Sequence, residues 1–274
     1  MHTDWLIPDW PAPKGVKAIF TTRSGGVSDV PWDSMNLGTH VGDLPARVAS
    51  NRAMLQRETG TRPVFLNQVH GSEVLRLDAG SADGHRADAC MTTQQRLACT
   101  IMVADCLPVF LTSEDGTVVA AAHAGWRGLA GAGPAADEGV LEAVADAFFE
   151  SFSASAQSER LSVAIKTIAW LGPCIGPTAF EVGPEVRAAF ESGHPDAAQC
   201  FAGNGADKYL ADLAGLARLR LQALGITQIY GNDSTPPWCT VGNPSRFFSH
   251  RRDAGRTGNG FNTTGRMAAC IWRD

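Results

Sequence analysis

The sequence predicts an α/β fold (α+β-like), with mixed β-sheets packed between helices, and three observations lead there. Short apolar runs bounded by turn residues alternate along the chain with segments of helical periodicity. Three of these runs, Ala98–Val103, Val109–Thr112 and Val118–Ala122, follow one another with only turn residues between them. Strands joined so closely cannot all be parallel, because a parallel pair needs a long crossover. Finally, 44% of the 274 residues are hydrophobic, which suffices for a large layered core. One domain spanning residues 1–274 is expected, without internal repeats.

The elements follow in order. Val16–Thr21 reads as a strand. Pro45 opens a helix with Leu44, Val48 and Leu55 on one face, and Gly60 stops it. Val64–Leu66 and Val74–Leu77 are short strands, followed by the trio of runs above, with Ser113-Glu114-Asp115-Gly116 as a turn. Pro134, Asp137 and Glu138 form the expected first turn of a second helix, whose apolar face holds Val140, Leu141, Val144 and Phe148. Ser151–Ser158 is the expected surface loop and Ile165–Leu171 a further strand. A third helix is expected from Asp207 to Leu224, with Leu210, Leu213, Ala217, Leu221 and Leu224 inward and Gly225 ending it.

Bulk properties exclude several classes. A net charge of −5 lacks the basic surplus of a nucleic-acid binder. No stretch approaches the roughly 20 apolar residues that span a bilayer. The opening residues lack the cationic and apolar regions of a secretory signal. Seven scattered cysteines fit reduced thiols better than a disulfide framework. A cytoplasmic monomer or homodimer without nucleic-acid or membrane partners is the expectation.

Three segments combine unusual residues just after apolar strands: Asn67-Gln68-Val69-His70-Gly71, Ala104-Asp105-Cys106-Leu107-Pro108, and His123-Ala124-Gly125-Trp126-Arg127-Gly128. If the runs ending at Ala104, spanning Val109–Thr112 and ending at Ala122 go up, down and up, the first and third finish at one edge. Cys106 and His123 then meet there, and His70 arrives after Val64–Leu66. Two imidazoles and a thiolate suit zinc, and three ligands leave a fourth position open. The same residues fit a cysteine nucleophile with His123 as its base, or a buried core thiol with hydrogen-bonded histidines. An anion site is the second theme. The Arg23-Ser24-Gly25-Gly26 turn, the Asn36–His40 segment, and the cluster of Arg246, Ser249, His250, Arg251 and Arg252 supply donors and forked cations. Trp126 and Arg127 could wall a base-binding pocket, whereas Cys90 and Cys99 read as packed thiols and Cys174 as structural.

These segments, with TTRSGGVS at 21–28, NLGTHVGD at 36–43, NQVHG, ADCLP, HAGWRG, GPCIG at 172–176, and SHRRD followed by Thr264-Gly265-Arg266, together resemble the YfiH-like laccase-domain family from about residue 16 onward. The resemblance implies a compact fold similar to the catalytic domain of cytotoxic necrotizing factor toxins. It also implies zinc binding, and catalysis, by His70, Cys106 and His123. The activity implied is phosphorolysis of adenosine, inosine and methylthioadenosine with inorganic phosphate, accompanied by adenosine deamination. Arg23, Asn36, Gln68, Arg127, Arg246 and Arg251 are the candidate phosphate and substrate contacts. Relatives linked to editing of peptidoglycan precursors leave a cysteine–histidine hydrolase as the alternative. The older name, copper polyphenol oxidase, fits the residues poorly. Seven histidines without a His-x-His pair cannot ligate a multicopper cluster, although copper would compete for a single site in vitro. For deamination, Asp105 or Glu73 is the candidate proton shuttle.

Overall fold

The computed structural model describes residues 4–131, 138–153, 156–254 and 263–274. In chain order its principal elements are β1 (Val16–Phe20), α1 (Pro45–Thr59), β2 (Arg62–Phe65), β3 (Val74–Arg76), β4 (Ala89–Thr92), β5 (Leu97–Val103), β6 (Leu107–Ser113) and β7 (Val119–Ala124). There follow α2 (Trp126–Ala130), α3 (Val140–Glu150), α4 (Gln157–Ile165), β8 (Thr167–Leu171), β9 (Glu181–Val182), α5 (Pro184–Glu191), β10 (Phe201–Gly203) and β11 (Tyr209–Ala211). The chain closes with α6 (Leu213–Ala223), β12 (Gln228–Gly231), α7 (His250–Asp253) and β13 (Met267–Arg273).

Two large mixed sheets stack face to face. One has the order β1-β13-β5-β2, the other β12-β8-β6-β7-β4-β3. The β2–β5, β3–β4 and β8–β12 pairs are parallel and the rest of these pairs antiparallel. The central strands are apolar on both faces, as buried strands require. In β6, Val109 and Leu111 join the core beneath the helices while Phe110 turns to the other sheet. There Phe110 stacks on Trp170, with ring centroids 5.1 Å apart. In β7, Ala120 and Ala122 face the helices, and Val119 and Ala121 face the sandwich interior. The outer layers are α1, which buries Leu55 against Ile19, Phe65, Ala98 and Cys270, and the α3–α6 pair on the opposite side.

Local signals place α1 well: Pro45 occupies its first turn and Gly60 ends it in the left-handed region at φ 66°. Other expectations need correction. The third helix starts at Leu213, not near Asp207, because Asp212 caps it by accepting the Gly215 amide at 2.9 Å. Residues 209–211 instead pair with β9 and β10. The 3–4 spacing of Leu210 to Leu213 therefore spans a strand and a helix start. For the second helix, Gly139 is the N-cap and Glu138 lies before it; Pro134 and Asp137 fall outside the described residues. In the expected loop at 151–158, Gln157 and Ser158 belong to α4, and residues 154–155 lie outside the described set. Ile165 closes α4 and is exposed, so the following strand begins only at Thr167. Finally, the run through Ala98–Val103 does not share a sheet with the two runs after it, for β5 pairs with β2 and β13.

Candidate active site

Cys106 and His123 do meet, by a different route from the one expected. Within β6–β7, Leu107 lies opposite Ala124 and Pro108 opposite His123. Cys106, one residue before β6, therefore sits beside the end of β7. Strand alternation puts the His123 side chain on the face of Val119 and Ala121, toward the space between the large sheets. The residue before β4 completes the arrangement. Ala89 pairs with Ala122, and Asp88 accepts the His123 amide through its carbonyl at 2.7 Å.

The Asp88 carboxylate is wholly buried and organises both histidines. Its Oδ1 is 2.8 Å from His123 Nδ1 and accepts the His70 amide at 2.9 Å. Its Oδ2 accepts the amides of Val69 and Gly71 at 3.0 and 2.8 Å. These three amides converge because His70 adopts a left-handed conformation, φ 61°. With Nδ1 engaged by Asp88, the His123 Nε2 atom is left to face the site. One donor atom from each of His70, Cys106 and His123 then lies within 4.8 Å of the others, and Cys106 Sγ is 3.7 Å from His70 Nε2. Gly125 roofs this trio. A Cβ there would stand 2.9 Å from both Cys106 Sγ and His70 Cδ2, so a side chain is excluded by space alone.

Electrostatics polarise the trio. Burial opposes ionisation of Cys106, but the His123 charge and hydrogen bonds from His123 and His70 outweigh it and bring the thiol down to about 6. Burial likewise opposes protonation of His123, yet the Cys106 thiolate and Asp88 hold its pKa up at about 9. Asp88 pays a desolvation penalty of its own, and its hydrogen bonds and the His123 charge still keep its carboxyl below the ordinary range. Near neutral pH the metal-free site is a thiolate–imidazolium pair backed by a carboxylate.

The trio opens into a cavity of about 430 Å³. Gln68, Arg127 and Arg251 line it, as do His40, His250, Phe180 and Arg266. Gln68 is locked by Met102, whose amide it accepts and whose carbonyl it donates to, both at 2.8 Å. Arg127 lies over Trp126 at 4.4 Å, and Arg251 donates to the Glu181 carbonyl at 3.1 Å. The other expected contacts sit elsewhere. Arg23 pairs with Asp33 at 3.1 Å and donates to the Pro244 carbonyl, outside the cavity wall. Arg246 lines a separate surface recess with Ser24 and Ser245. Asn36 is fully buried and accepts the amides of Gly38 and Arg266. The two shuttle candidates fare no better. Both Asp105 oxygens are taken, by the Thr240 hydroxyl at 2.6 Å and the Arg251 amide at 2.7 Å. Glu73 is exposed and is not part of the wall. Cys174 is buried beside Asn232 and does not reach the cavity.

Sequence reasoning missed Asp88, named His40 only as part of the Asn36–His40 segment of the anion site, and gave Arg266 no role although it falls inside a quoted motif. A lone acid opening the apolar stretch Ala87-Asp88-Ala89-Cys90 was the available signal for Asp88.

Fold and site together define a layered α/β protein with one His-Cys-His donor set, the one such group among the described residues. The chain belongs to the multi-copper polyphenol oxidoreductase laccase family, whose profile matches residues 17–274. Among curated relatives, a protein of Pseudomonas aeruginosa named as a purine nucleoside phosphorylase is 45% identical over 269 residues, covering 98% of each chain. The purine nucleoside phosphorylase YfiH of Escherichia coli is also 45% identical, over 97% of this chain and 98% of its own. Among solved structures, a Neisseria meningitidis protein superposes with a TM-score of 0.84 at 42% identity, covering 99% of this chain and all of its own. YlmD of Geobacillus stearothermophilus gives 0.83 at 28% identity, covering all of this chain and 97% of its own.

Proposed function

We propose that the protein is a zinc-dependent purine nucleoside phosphorylase, acting on adenosine, inosine and methylthioadenosine as one cytoplasmic domain, with adenosine deamination as a companion activity. The observation that carries this reading is the cavity. In a chain of net charge −5, its wall presents Arg127, Arg251 and Arg266 around the trio, and its one carboxylate, Asp105, is fully engaged. Such a site favours a dianion beside an uncharged partner. Relatives named as purine nucleoside phosphorylases supply the same chemistry independently.

The donor set fits a metal. A thiolate and two neutral imidazoles are borderline-soft ligands suited to zinc, and Asp88 provides the carboxylate–histidine support typical of metal sites. His70, Cys106 and His123 would hold the ion. When bound, zinc would supply Lewis acidity to a coordinated group. The remaining work falls to the chain. Trp126 and Phe180 offer aromatic walls for the purine. The arginines hold phosphate where one of its oxygens can attack C1′ of the ribose. The glycosidic electrons leave with the base, which takes up a proton, and ribose 1-phosphate remains. Deamination would need a proton carrier other than Asp105 or Glu73, and His40 and His250 are on the wall to serve.

The test is adenosine turnover by metal-analysed protein with and without phosphate, beside Cys106→Ala. Adenine and ribose 1-phosphate are expected only with phosphate and an intact Cys106, and inosine without phosphate would report deamination. No turnover by zinc-loaded protein would overturn the nucleoside reading.

One observation favours a second reading. Asp88, His123 and Cys106 are ordered as carboxylate, imidazole and thiolate, the pattern of a cysteine–histidine hydrolase acting on an amide or ester such as a peptidoglycan precursor. Alkylation separates the two. A metal-held thiolate is protected from iodoacetamide until chelator is added, whereas a free nucleophile reacts at once and chelator does not alter its rate.

A further inference from the structure

Arg266 differs from every other arginine of the cavity. It precedes β13 and is partly buried, whereas Arg127 and Arg251 are exposed at the rim. Its Nη1 donates to the carbonyls of Thr264 and Gly265, at 2.9 and 3.2 Å. Among the described residues, its Nε and Nη2 groups have no hydrogen-bond acceptor and no carboxylate pairs with it. Arg23, Arg52, Arg220 and Arg252, by contrast, each pair with an acid. Burial pulls the Arg266 pKa below its ordinary value, with the Cys106 and Asp105 charges only partly compensating. A partly buried guanidinium whose unpaired fork faces a cavity is set up to receive an anion in a charge-assisted pair.

Surrounding residues are built to hold it in place. The fully buried Asn36 accepts the Arg266 amide at 2.9 Å, and Leu37 donates its amide to the Arg266 carbonyl at 3.0 Å. Asn36 is itself fixed by Gly38 and by Asp43, to which it donates at 2.9 Å. Gly38 leaves room for the arginine stem, since a Cβ there would lie 2.8 Å from Arg266 Cγ. Asn36, expected to touch substrate, is thereby a positioning residue.

We propose that Arg266, positioned by Asn36 and Gly38, is the residue that anchors phosphate in this cavity through its free Nε–Nη2 edge. The proposal rests on the phosphorylase reading for its ligand, and on the cavity geometry for its residue. Arg246, the first residue of the densest cationic cluster in the sequence, lines a separate recess and has no part in it.

The experiment measures inorganic phosphate binding by calorimetry, and the phosphate KM in nucleoside turnover. It uses zinc-loaded native protein, Arg266→Gln, Arg266→Lys and the control Arg246→Gln, with zinc content checked in each. Loss of a charge-assisted fork is expected to weaken phosphate in Arg266→Gln by about 10- to 100-fold. Arg266→Lys keeps the charge without the fork and should fall between it and the native protein; it carries the test if the glutamine variant does not fold. Arg246→Gln should match native. Phosphate affinity in both Arg266 variants within twofold of native overturns the proposal, as does native protein that neither binds phosphate nor needs it. Phosphate held through Arg266 without any nucleoside turnover would instead sink the phosphorylase reading and leave the anion site standing.

Discussion

Replacing Asp88 with asparagine separates the carboxylate's role in the trio from its role in the loop. Its two oxygens have different duties: Oδ2 accepts Val69 and Gly71, and Oδ1 accepts His70 and faces His123 Nδ1. An asparagine oxygen at the Oδ2 position keeps the first pair. Its NH2 then faces the His70 amide, donor against donor, and donates to His123 Nδ1. That pushes the imidazole proton to Nε2 and removes the lone pair a metal needs. The reverse orientation keeps the His123 contact but sets the NH2 against two amides. Either way one or two buried donors lose their acceptor, at about 1–3 kcal/mol each. For a chain of this size that lowers Tm by about 2–4 °C per kcal/mol. Zinc affinity should fall about 10- to 100-fold, the usual effect of losing such an outer partner, or about 1.4–2.7 kcal/mol. Competition with a chromophoric chelator measures the affinity, and thermal unfolding with and without chelator measures the stability. A protein that melts lower but binds zinc within twofold of native would refute the orienting role and leave Asp88 as loop scaffold alone.

Gly125→Ala places a methyl 2.9 Å from both Cys106 Sγ and His70 Cδ2, so metal binding should drop by at least tenfold while circular dichroism stays native. In metal-free protein, iodoacetamide labelling of Cys106 should rise with pH through about 6, where the thiol ionises, instead of near 9; a midpoint above 8 would refute the pairing with His123. The same pair shapes stability. The depressed thiol contributes above its folded pKa and loses that contribution as pH falls through about 6, while the raised imidazole loses its own as pH rises through about 9. Because the unfolded imidazole and thiol release their protons near 6.5 and 9, the two contributions offset each other inside that window, and urea midpoints of metal-free native protein should stay nearly level between about pH 6.5 and 9. Phe110→Ala removes a fully buried ring stacked on Trp170 and should cost about 3–5 kcal/mol in chemical unfolding.

Much of this architecture is legible in residue order because its causes are local. Pro45 and Gly60 bracket α1 by restricting φ at one end and permitting positive φ at the other. Apolar runs locate β5, β6, β7 and β8 to within a few residues, since strands buried on both faces are continuously hydrophobic. The three donor residues stood out because thiol and imidazole are rare immediately beside such runs. Partner choice was not legible in the same way. Periodicity states which residues are buried and not against what, so β5 was read into the sheet of β6 and β7 when it lies in the facing one. Helical spacing continued backward through Leu210 for the same reason, since a strand paired with β9 and β10 leaves no mark on α6's own repeat. The site shows the limit most sharply. Asp88 stands 18 positions from His70 and 35 from His123, and its bond to His123 exists only after β4 pairs with β7. Arg246 sits in the richest cationic stretch yet lines a separate recess, while the isolated Arg266 reaches the cavity. Charge density along a chain is a one-dimensional property. Which charge loses its water and faces a ligand depends on strand pairing and close packing among residues far apart, and those are set only when the sheets assemble.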